Sequence, residues 1–176
     1  MKNVPPITAH EIHIRIAEKT DLPDIVAIYN QAVPTRCSTA NTIPWTVEGR
    51  TPWFNEHEPN RHPIFVGVIH NQLIGWCSLS AYRPGRLALR FTAEISYYID
   101  TAYQRQGIGS AMLNHTLGVC PSLHIKNVIA VIIDRNEASK KLLEKLGFQQ
   151  WAYLPRVLDF DGQEFGEFYY GKRVAD

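Results

Sequence analysis

The order of hydrophobic and polar residues predicts strands mixed with helices. Residues His13 to Ala17 alternate, which is typical of a half-buried strand. Thr20-Asp21-Leu22-Pro23 then combines a capping side chain with a proline, the combination that begins many helices. The apolar positions that follow share one helical face and are Ile25, Ile28, Tyr29 and Ala32.

The next part of the chain predicts an irregular segment, a helix and a hairpin. Ser38 to Thr46 shows no periodicity, and a second helix is predicted to begin at Thr51. Pro63 to His70 has the pattern of a buried strand. Asn71-Gln72 is predicted to turn the chain, and Leu73 to Tyr82 is predicted to return as the next strand.

A further strand is predicted from Phe91 to Asp100. Its alternation places two different sets of side chains on its two faces. One set is Ile95, Tyr97 and Ile99, and the other is Glu94, Ser96 and Tyr98. This strand leads directly into a glycine-containing loop and an apolar helical pattern.

The remaining residues predict one more central strand, one helix and a closing pair of strands. Val128 to Ile133 is an apolar run typical of a central strand. Asn136 to Leu146 has helical spacing and ends at Gly147, a natural helix stop. Phe148–Leu154 and Glu164–Gly171 are predicted to close the fold around a turn at Asp161-Gly162. Strands mixed with helices in this order predict an α/β fold with a mixed sheet.

The composition restricts the class of protein. The chain has 176 residues, 45% hydrophobic and 20% charged, as in one globular domain. The net charge of +1 argues against nucleic-acid binding through a broad basic field. No apolar stretch is long enough to span a bilayer, which predicts no membrane partner. Residues 1–11 are polar and lack the apolar core of an export signal, so we expect a tail followed by one domain at 12–176.

The cysteines and histidines do not predict a metal site. The three cysteines are far apart, no Cys-x-x-Cys spacing occurs, and none of the seven histidines forms a ligand pair. An odd number of cysteines without a signal peptide indicates a reducing compartment. We therefore expect a cytoplasmic protein without a bound metal.

The loop after the strand that ends at Asp100 has the features of a phosphate site. Gly107 and Gly109 let the backbone approach a ligand, and the following helix start presents free N–H groups and a positive dipole end. Arg105 adds a charged donor. A dinucleotide fingerprint needs a third glycine where Met112 stands, and the Gly-Lys-Ser/Thr of a Walker loop is absent. A coenzyme A loop and a simple turn between strand and helix remain as alternatives.

Two segments of the chain resemble the signatures of the GCN5-related N-acetyltransferase (GNAT) superfamily. Gln104 to Gly109 resembles its Gln/Arg-x-x-Gly-x-Gly/Ala signature, and Asn136 to Phe148 resembles the Asn-x-x-Ser/Ala…Gly-Phe segment that follows. Three further segments are similar to the branch that acetylates phosphinothricin and methionine sulfoximine: Ser38–Asn41, Trp53-Phe54 and Thr92–Ile99. The resemblance extends from about Ile14 to about Tyr170.

The resemblance implies a fold and an activity. The expected fold has a mixed central sheet in which a splayed strand pair receives acetyl-CoA, with helices on both faces. The expected activity is acetyl-CoA-dependent N-acetylation of a small-molecule amine, an amino acid or an analogue of one. The branch also implies a homodimer.

The resemblance further implies a set of residues that bind the cofactor. The backbone of Tyr97, Tyr98 and Ile99 would pair with the pantetheine arm almost as an added strand. Asn136 and Ser139 would reach the pantetheine or its phosphate end. The pyrophosphate would be held by Arg105, Gln106, Gly107, Ile108, Gly109 and Ser110.

The chemistry requires a base, because an alkyl amine is mostly protonated at neutral pH. Glu94 is the candidate general base, since the branch carries a glutamate in the matching place. An ordinary surface glutamate is the alternative interpretation. The candidates for the substrate pocket are Thr39, Asn41, Tyr82 and Arg83. Arg83 would pair with a carboxylate of the substrate, although a solvated loop arginine is an equal alternative.

One residue and one segment depart from the resembling branch. Leu143 stands where many members of the superfamily carry a tyrosine and the branch a histidine, and leucine cannot protonate a thiolate. Tyr98, Ser139 or solvent would protonate the thiolate instead, or no acid is needed, because a thiol with a pKa of about 8.5 leaves readily. The segment Val157 to Phe165 also lacks the aromatic, glycine-rich stretch that faces the substrate in the branch. Two other functions therefore stay open: an acyl-CoA sensor without catalysis, and acetylation of a peptide or protein N-terminus.

Overall fold

The computed structural model describes residues 12–176, so the predicted tail at 1–11 lies outside the described residues. The strands are β1 (His13–Ile16), β2 (Ile64–Ile69), β3 (Gln72–Ala81), β4 (Thr92–Ile99), β5 (Asn127–Ile133), β6 (Gln149–Phe160) and β7 (Gln163–Arg173). The α-helices are α1 (Leu22–Asn30), α2 (Val47–Asn55), α3 (Ile108–Val119) and α4 (Glu137–Lys145).

The strands form one mixed sheet in the order β1-β2-β3-β4-β5-β7-β6. Every neighbouring pair is antiparallel except β4 and β5, which run parallel. The connection between β4 and β5 passes through α3, because parallel neighbours need a long crossover. The predicted mixed α/β sheet is confirmed.

Helices cover both faces of the sheet, as the resemblance implied. On one face, buried residues of α3 and α4 such as Met112 and Leu143 pack against Ile95 of β4 and Val128 of β5. On the other face, α1 residues such as Ile25 pack against β2 and β3. There the indole Nε1 of Trp76 donates to the Ile25 carbonyl at 3.1 Å, which satisfies a polar atom inside an apolar core.

Several predicted boundaries differ from the structure. The helix expected to begin at Thr51 begins at Val47, because the side chain of Thr46 caps it by accepting from the Gly49 N–H at 3.0 Å. The hairpin turn expected at Asn71-Gln72 lies at His70-Asn71, which both adopt left-handed backbone angles, and Gln72 already belongs to β3.

The closing strands are also longer than predicted. The prediction ended the first of them at Leu154, whereas β6 continues to Phe160 beside β7. Nearly all side chains of β6 are exposed, so the sequence carries no buried alternation there for a prediction to use. The register shifts between Leu154 and Leu158, which adds a further irregularity.

Candidate active site

The parallel strands β4 and β5 separate after a short stretch of pairing. They are paired at only three positions, the last of which joins Glu94 to Ile129. β3 and β4, by contrast, stay paired from Ala81 and Ala93 through to Gly75 and Ile99. The divergence leaves backbone groups of β4 beyond Glu94 facing a gap. This gap, which we call the fork, is the splayed strand pair that the resemblance implied.

A cavity of about 560 Å³ occupies the fork. It lies between the outer half of β4, the outer half of β5, the start of α3 and the first turns of α4. Ten of the eleven residues predicted to bind the cofactor line it: Tyr97, Tyr98, Ile99, Arg105, Gly107, Ile108, Gly109, Ser110, Asn136 and Ser139. The eleventh, Gln106, lies in the same loop but not in the lining. The predicted cofactor residues are therefore brought together at one place.

The loop between β4 and α3 has the conformation of an anion site. Gly107 is the N-cap of α3 with a φ of 81°, and it has no side chain that could satisfy the first N–H groups of the helix. Those donors remain directed at the mouth of the fork. Arg105 is exposed, also left-handed at φ 62°, and forms no ion pair within residues 12–176.

Gly109 keeps the floor of the fork open. A Cβ added at Gly109 would lie 3.1 Å from Cδ2 of Leu142 and 3.9 Å from Cγ1 of Ile99. Both of these residues line the cavity. A side chain at Gly109 would therefore occupy the space between α3 and α4 where a ligand would lie.

Polar side chains brace the connection between β4 and α3. The Gln31 side chain donates to Asp100 at 3.2 Å and accepts from the Thr101 N–H at 2.8 Å, which ties this connection to the end of α1. Asp100 also accepts from the Ala102 N–H at 2.8 Å. Gln104 donates to the Ile99 carbonyl at 3.2 Å. These hydrogen bonds therefore fix the backbone conformation of the loop that leads into α3.

Asn136 stabilises the rim of the fork through two hydrogen bonds. It is 7% exposed, and its Oδ1 accepts from the Ser139 N–H at 3.1 Å as the N-cap of α4. Its Nδ2 donates to the Ser38 hydroxyl at 3.3 Å, which joins α4 to the segment after α1. Both polar atoms of the predicted cofactor residue therefore already have protein partners.

Replacing Asn136 with alanine should destabilise the protein by about 1–2 kcal/mol, because α4 loses its cap and Ser38 its partner. For a chain of this size that lowers the melting temperature by roughly 2–8 °C. Asn136→Ser keeps a capping oxygen but loses the reach to Ser38, so it should recover most of the loss. Thermal unfolding measures both variants, and equal loss in both would contradict the capping role.

The opposite rim of the fork rests on aromatic side chains. The Tyr98 hydroxyl donates to the Ser38 carbonyl at 3.0 Å, and burial raises its pKa. The Tyr98 ring lies 4.8 Å from that of Tyr29 and 4.9 Å from that of Trp76, measured between centroids. Tyr29 is hydrogen-bonded in turn to Thr39. Aromatic packing therefore fixes the Ser38–Thr39 segment against the sheet.

Glu94 lies at the point where the fork begins. It is half-buried on the face covered by α1 and α2, the same face as Tyr98, which confirms the predicted alternation along β4. Burial raises the pKa of its carboxyl above the ordinary 4.5, and the nearby carboxylate of Glu167 raises it further. Within residues 12–176 no basic side chain forms an ion pair with Glu94. A raised pKa and an unpaired carboxylate suit a proton acceptor.

The residues predicted for the substrate pocket are not gathered at one place. Thr39 is buried against Tyr29, and Asn41 is exposed beyond it. Tyr82 and Arg83 line a separate depression of about 60 Å³ at the far end of β3. None of the four lines the fork cavity.

Two residues of β7 were missed by the sequence reasoning. Glu167 and Tyr169 lie near Glu94, since the charge of Glu167 raises the pKa of Glu94. The pKa of the Tyr169 hydroxyl is raised first by burial and then by the charges of Glu167, Tyr82 and Glu94. Their alternation on β7 was visible in the sequence, but their proximity to Glu94 depends on β7 pairing with β5. The Tyr169 hydroxyl is therefore close enough to both Tyr82 and Glu94 for their charges to raise its pKa.

Leu143 does not face the fork. It is fully buried in the core between α4 and the sheet, and its neighbour Leu142 lines the cavity instead. The helix position that carries a polar group in the resembling families thus supplies only packing here.

Known proteins match this chain in both sequence and fold. Residues 11–149 match the Acetyltransferase (GNAT) domain family. YwnH of Bacillus subtilis, described as a candidate phosphinothricin acetyltransferase, is 39% identical over 86% of this chain and 93% of its own length. The L-methionine sulfoximine/L-methionine sulfone acetyltransferase of Pseudomonas aeruginosa strain PAO1 is 31% identical over 87% of each chain.

A solved structure shows the same architecture with the cofactor. The phosphinothricin acetyltransferase from Sinorhizobium meliloti, in complex with acetyl-CoA, superposes with a TM-score of 0.87 at 26% identity. The match covers 94% of this chain and 89% of that one. Three observations lead to the same family: the sequence match, the sheet that opens between β4 and β5, and the glycine loop at the start of α3. The chain belongs to the GNAT family, and it is an N-acetyltransferase that uses acetyl-CoA.

Proposed function

We propose that the protein acetylates the amine of a small amino acid or amino-acid analogue by direct transfer, with Glu94 as the general base. The observation that carries this proposal is the position of Glu94 at the origin of the fork, where it is half-buried and forms no ion pair with a basic side chain of residues 12–176. The relatives named as phosphinothricin and methionine sulfoximine acetyltransferases support the substrate class.

The fork fits acetyl-CoA in three respects. Its mouth presents uncapped helix N–H groups and Arg105 to phosphate oxygens. Its walls offer the unpaired backbone of β4 to the amide groups of the pantetheine arm. Its floor is open because Gly109 has no side chain. Acetyl-CoA supplies the activated acetyl group, and the protein orients it toward the face that carries Glu94.

The role of Glu94 follows from its surroundings. Burial and the charge of Glu167 favour the protonated form, so the carboxylate accepts a proton more readily than an ordinary glutamate. An amine held against it would lose its proton as the nitrogen attacks, directly or through one water. Glu94 therefore both attracts an ammonium group and generates the neutral nucleophile.

The groups around Glu94 suit a zwitterionic acceptor. Glu94 and Glu167 provide negative charge for an ammonium group, and Tyr169 and Tyr82 provide hydroxyls nearby. Arg83 contributes positive charge to the same neighbourhood, because it opposes the rise in the Tyr169 pKa that burial and the nearby negative charges cause. An α-amino acid carries an ammonium and a carboxylate on the same carbon, and in this proposal Glu94 receives the ammonium while Arg83 pairs with the carboxylate.

The test is a thiol-release assay with acetyl-CoA and a panel of amines. We expect release with amino-acid analogues such as methionine sulfoximine and phosphinothricin, and little with polyamines or with peptides bearing a free N-terminus. Mass spectrometry of the product would show one added acetyl group on nitrogen. Binding of acetyl-CoA without thiol release for any amine would reject catalysis and favour a sensor.

We further propose a cytoplasmic homodimer. The supporting feature is β6, the edge strand of the sheet, which exposes between 39% and 52% of four large apolar side chains: Trp151, Tyr153, Leu154 and Val157. An exposed apolar edge strand is a typical association surface. The three cysteines are free thiols, which agrees with a reducing compartment.

The dimer predicts a mass of about twice 20.1 kDa in sedimentation. Replacing Trp151 and Val157 together with glutamate should halve that mass, because two charges would be buried at the contact. Leu87→Glu alters an apolar side chain that is 77% exposed elsewhere, so it should leave the mass unchanged. A wild-type chain that sediments as a monomer would refute the proposed dimer.

None of the helices within residues 12–176 is long and apolar enough to cross a bilayer.

A further inference from the structure

One buried hydroxyl in the fork has no hydrogen-bond partner among residues 12–176. Tyr97 lies on the face of β4 that packs against α3 and α4, and it lines the cavity. Its hydroxyl oxygen is buried and completes no hydrogen bond within residues 12–176. Native structures rarely leave a buried hydroxyl unsatisfied, because the loss of hydration is not repaid. A ligand in the fork would supply the missing acceptor.

The other tyrosine hydroxyls of the fork already donate hydrogen bonds within the protein. Tyr98 donates to the Ser38 carbonyl at 3.0 Å, and Tyr103 donates to Gln72 at 3.0 Å. Burial raises the pKa of the Tyr97 hydroxyl, and Ser139 lies close enough to oppose that rise, but the two groups complete no hydrogen bond within residues 12–176. Tyr97, with Ser139 beside it, is therefore the tyrosine of the fork that remains available.

Tyr97 and Glu94 lie on opposite faces of β4. Glu94 is on the α1 and α2 face, and Tyr97 is on the α3 and α4 face. The fork passes between these faces, since residues of both line the cavity. An amine deprotonated by Glu94 would attack the thioester from the first face, so the sulfur would leave toward the second.

We propose that the Tyr97 hydroxyl donates a hydrogen bond to the sulfur of coenzyme A as the thioester bond breaks. The inference rests on the proposed function and adds a catalytic residue to it. In the step, the nitrogen–carbon bond forms and the carbon–sulfur bond breaks. The electron pair of that bond stays on sulfur, and the amine proton goes to Glu94.

Tyr97 acts as a donor and keeps its proton. Burial raises the pKa of its hydroxyl to about 12, whereas a thiol has a pKa of about 8.5. Full proton transfer from Tyr97 to the thiolate would therefore be unfavourable, and the thiolate takes its proton from solvent. Tyr97 thus supplies the hydrogen bond that Leu143, an apolar side chain buried in the core, cannot supply.

The test is Tyr97→Phe, which removes only the hydroxyl. We expect the turnover number to fall about tenfold or more, the effect of losing one hydrogen bond to a developing charge. Calorimetry should show weaker binding of coenzyme A, but unchanged binding of desulfo-coenzyme A, which lacks the sulfur. The melting temperature without ligand should not fall, since the hydroxyl makes no hydrogen bond to the part of the chain that the structure describes.

The control is Tyr170→Phe, which removes a hydroxyl that donates to Glu144 at 3.0 Å outside the fork. It should keep wild-type turnover and wild-type affinity for both ligands. Equal weakening of coenzyme A and desulfo-coenzyme A by Tyr97→Phe, or no change in turnover and affinity, would overturn the inference. Failure of the proposed function would instead appear in the wild-type protein, as the absence of thiol release.

Discussion

Replacing Glu94 with glutamine should reduce the turnover number by roughly 10²–10⁴-fold, the usual contribution of a general base. Glutamine preserves the size and shape of the side chain and one acceptor oxygen, but it cannot act as a base. Because burial and Glu167 raise the pKa of Glu94, the rate of the wild-type enzyme should rise with pH through a value above 4.5. The variant should lose this ascending limb. Steady-state kinetics from acidic to alkaline pH measures both effects.

The same substitution should stabilise the fold at neutral pH. A carboxyl whose pKa is higher in the folded state contributes its full stability below the unfolded pKa. That contribution decreases as pH rises through the folded pKa. Glu94→Gln removes the penalty of burying the charge, so its melting temperature should exceed that of the wild type at pH 7–8. The two should converge at pH 3–4.

Glu164→Gln is the matched control, because Glu164 lies on β7 and pairs with Arg156 at the surface. It should leave turnover and its pH dependence unchanged. Unchanged turnover and an intact ascending limb in Glu94→Gln would contradict the assignment of the base. A lower melting temperature at neutral pH would contradict the burial of an unpaired charge.

Replacing Gly109 with tryptophan should weaken coenzyme A binding by more than about 100-fold, or ~2.7 kcal/mol. The indole would fill the space between Leu142 and Ile99 that a ligand must occupy. Even a Cβ at this position would lie 3.1 Å from Leu142, so the first atom of the new side chain already points into the fork. Isothermal calorimetry with coenzyme A measures the loss.

Gly118 provides a control within the same helix. A Cβ there would meet nothing within 4 Å, and the residue is exposed near the end of α3. Gly118→Trp should therefore keep wild-type affinity, which separates blocking of the fork from a general effect on α3. Wild-type affinity in Gly109→Trp would show that the cofactor lies elsewhere.

The sequence predicted the elements around the site well where one face of an element is buried. The alternation of β4 assigned Glu94 and Tyr97 to opposite faces, and the structure confirms this. The helix predicted from Asn136 to Leu146 with a stop at Gly147 is also found, as α4 (Glu137–Lys145) with Asn136 as its N-cap. These features are local, since they depend on residues within one or two turns.

The features that were missed depend on long-range pairing. The proximity of Glu167 and Tyr169 to Glu94 exists only because β7 pairs with β5 and β5 pairs with β4. The free hydroxyl of Tyr97 could not be predicted either, because the partners of Tyr98 and Tyr103 lie on distant segments. The fork itself was implied by resemblance and not by the residue pattern, since nothing local marks where β4 and β5 part.

The central claim is that acetyl-CoA lies in the fork between β4 and β5, and hydrogen exchange tests it most directly. Added acetyl-CoA should slow amide exchange at residues 95–99 of β4 and at residues 107–110 at the start of α3, because the ligand would cover these donors. Residues 64–69 of β2, away from the fork, should exchange as before. Protection at β2 without protection of the fork, or no protection at saturating acetyl-CoA, would contradict the account.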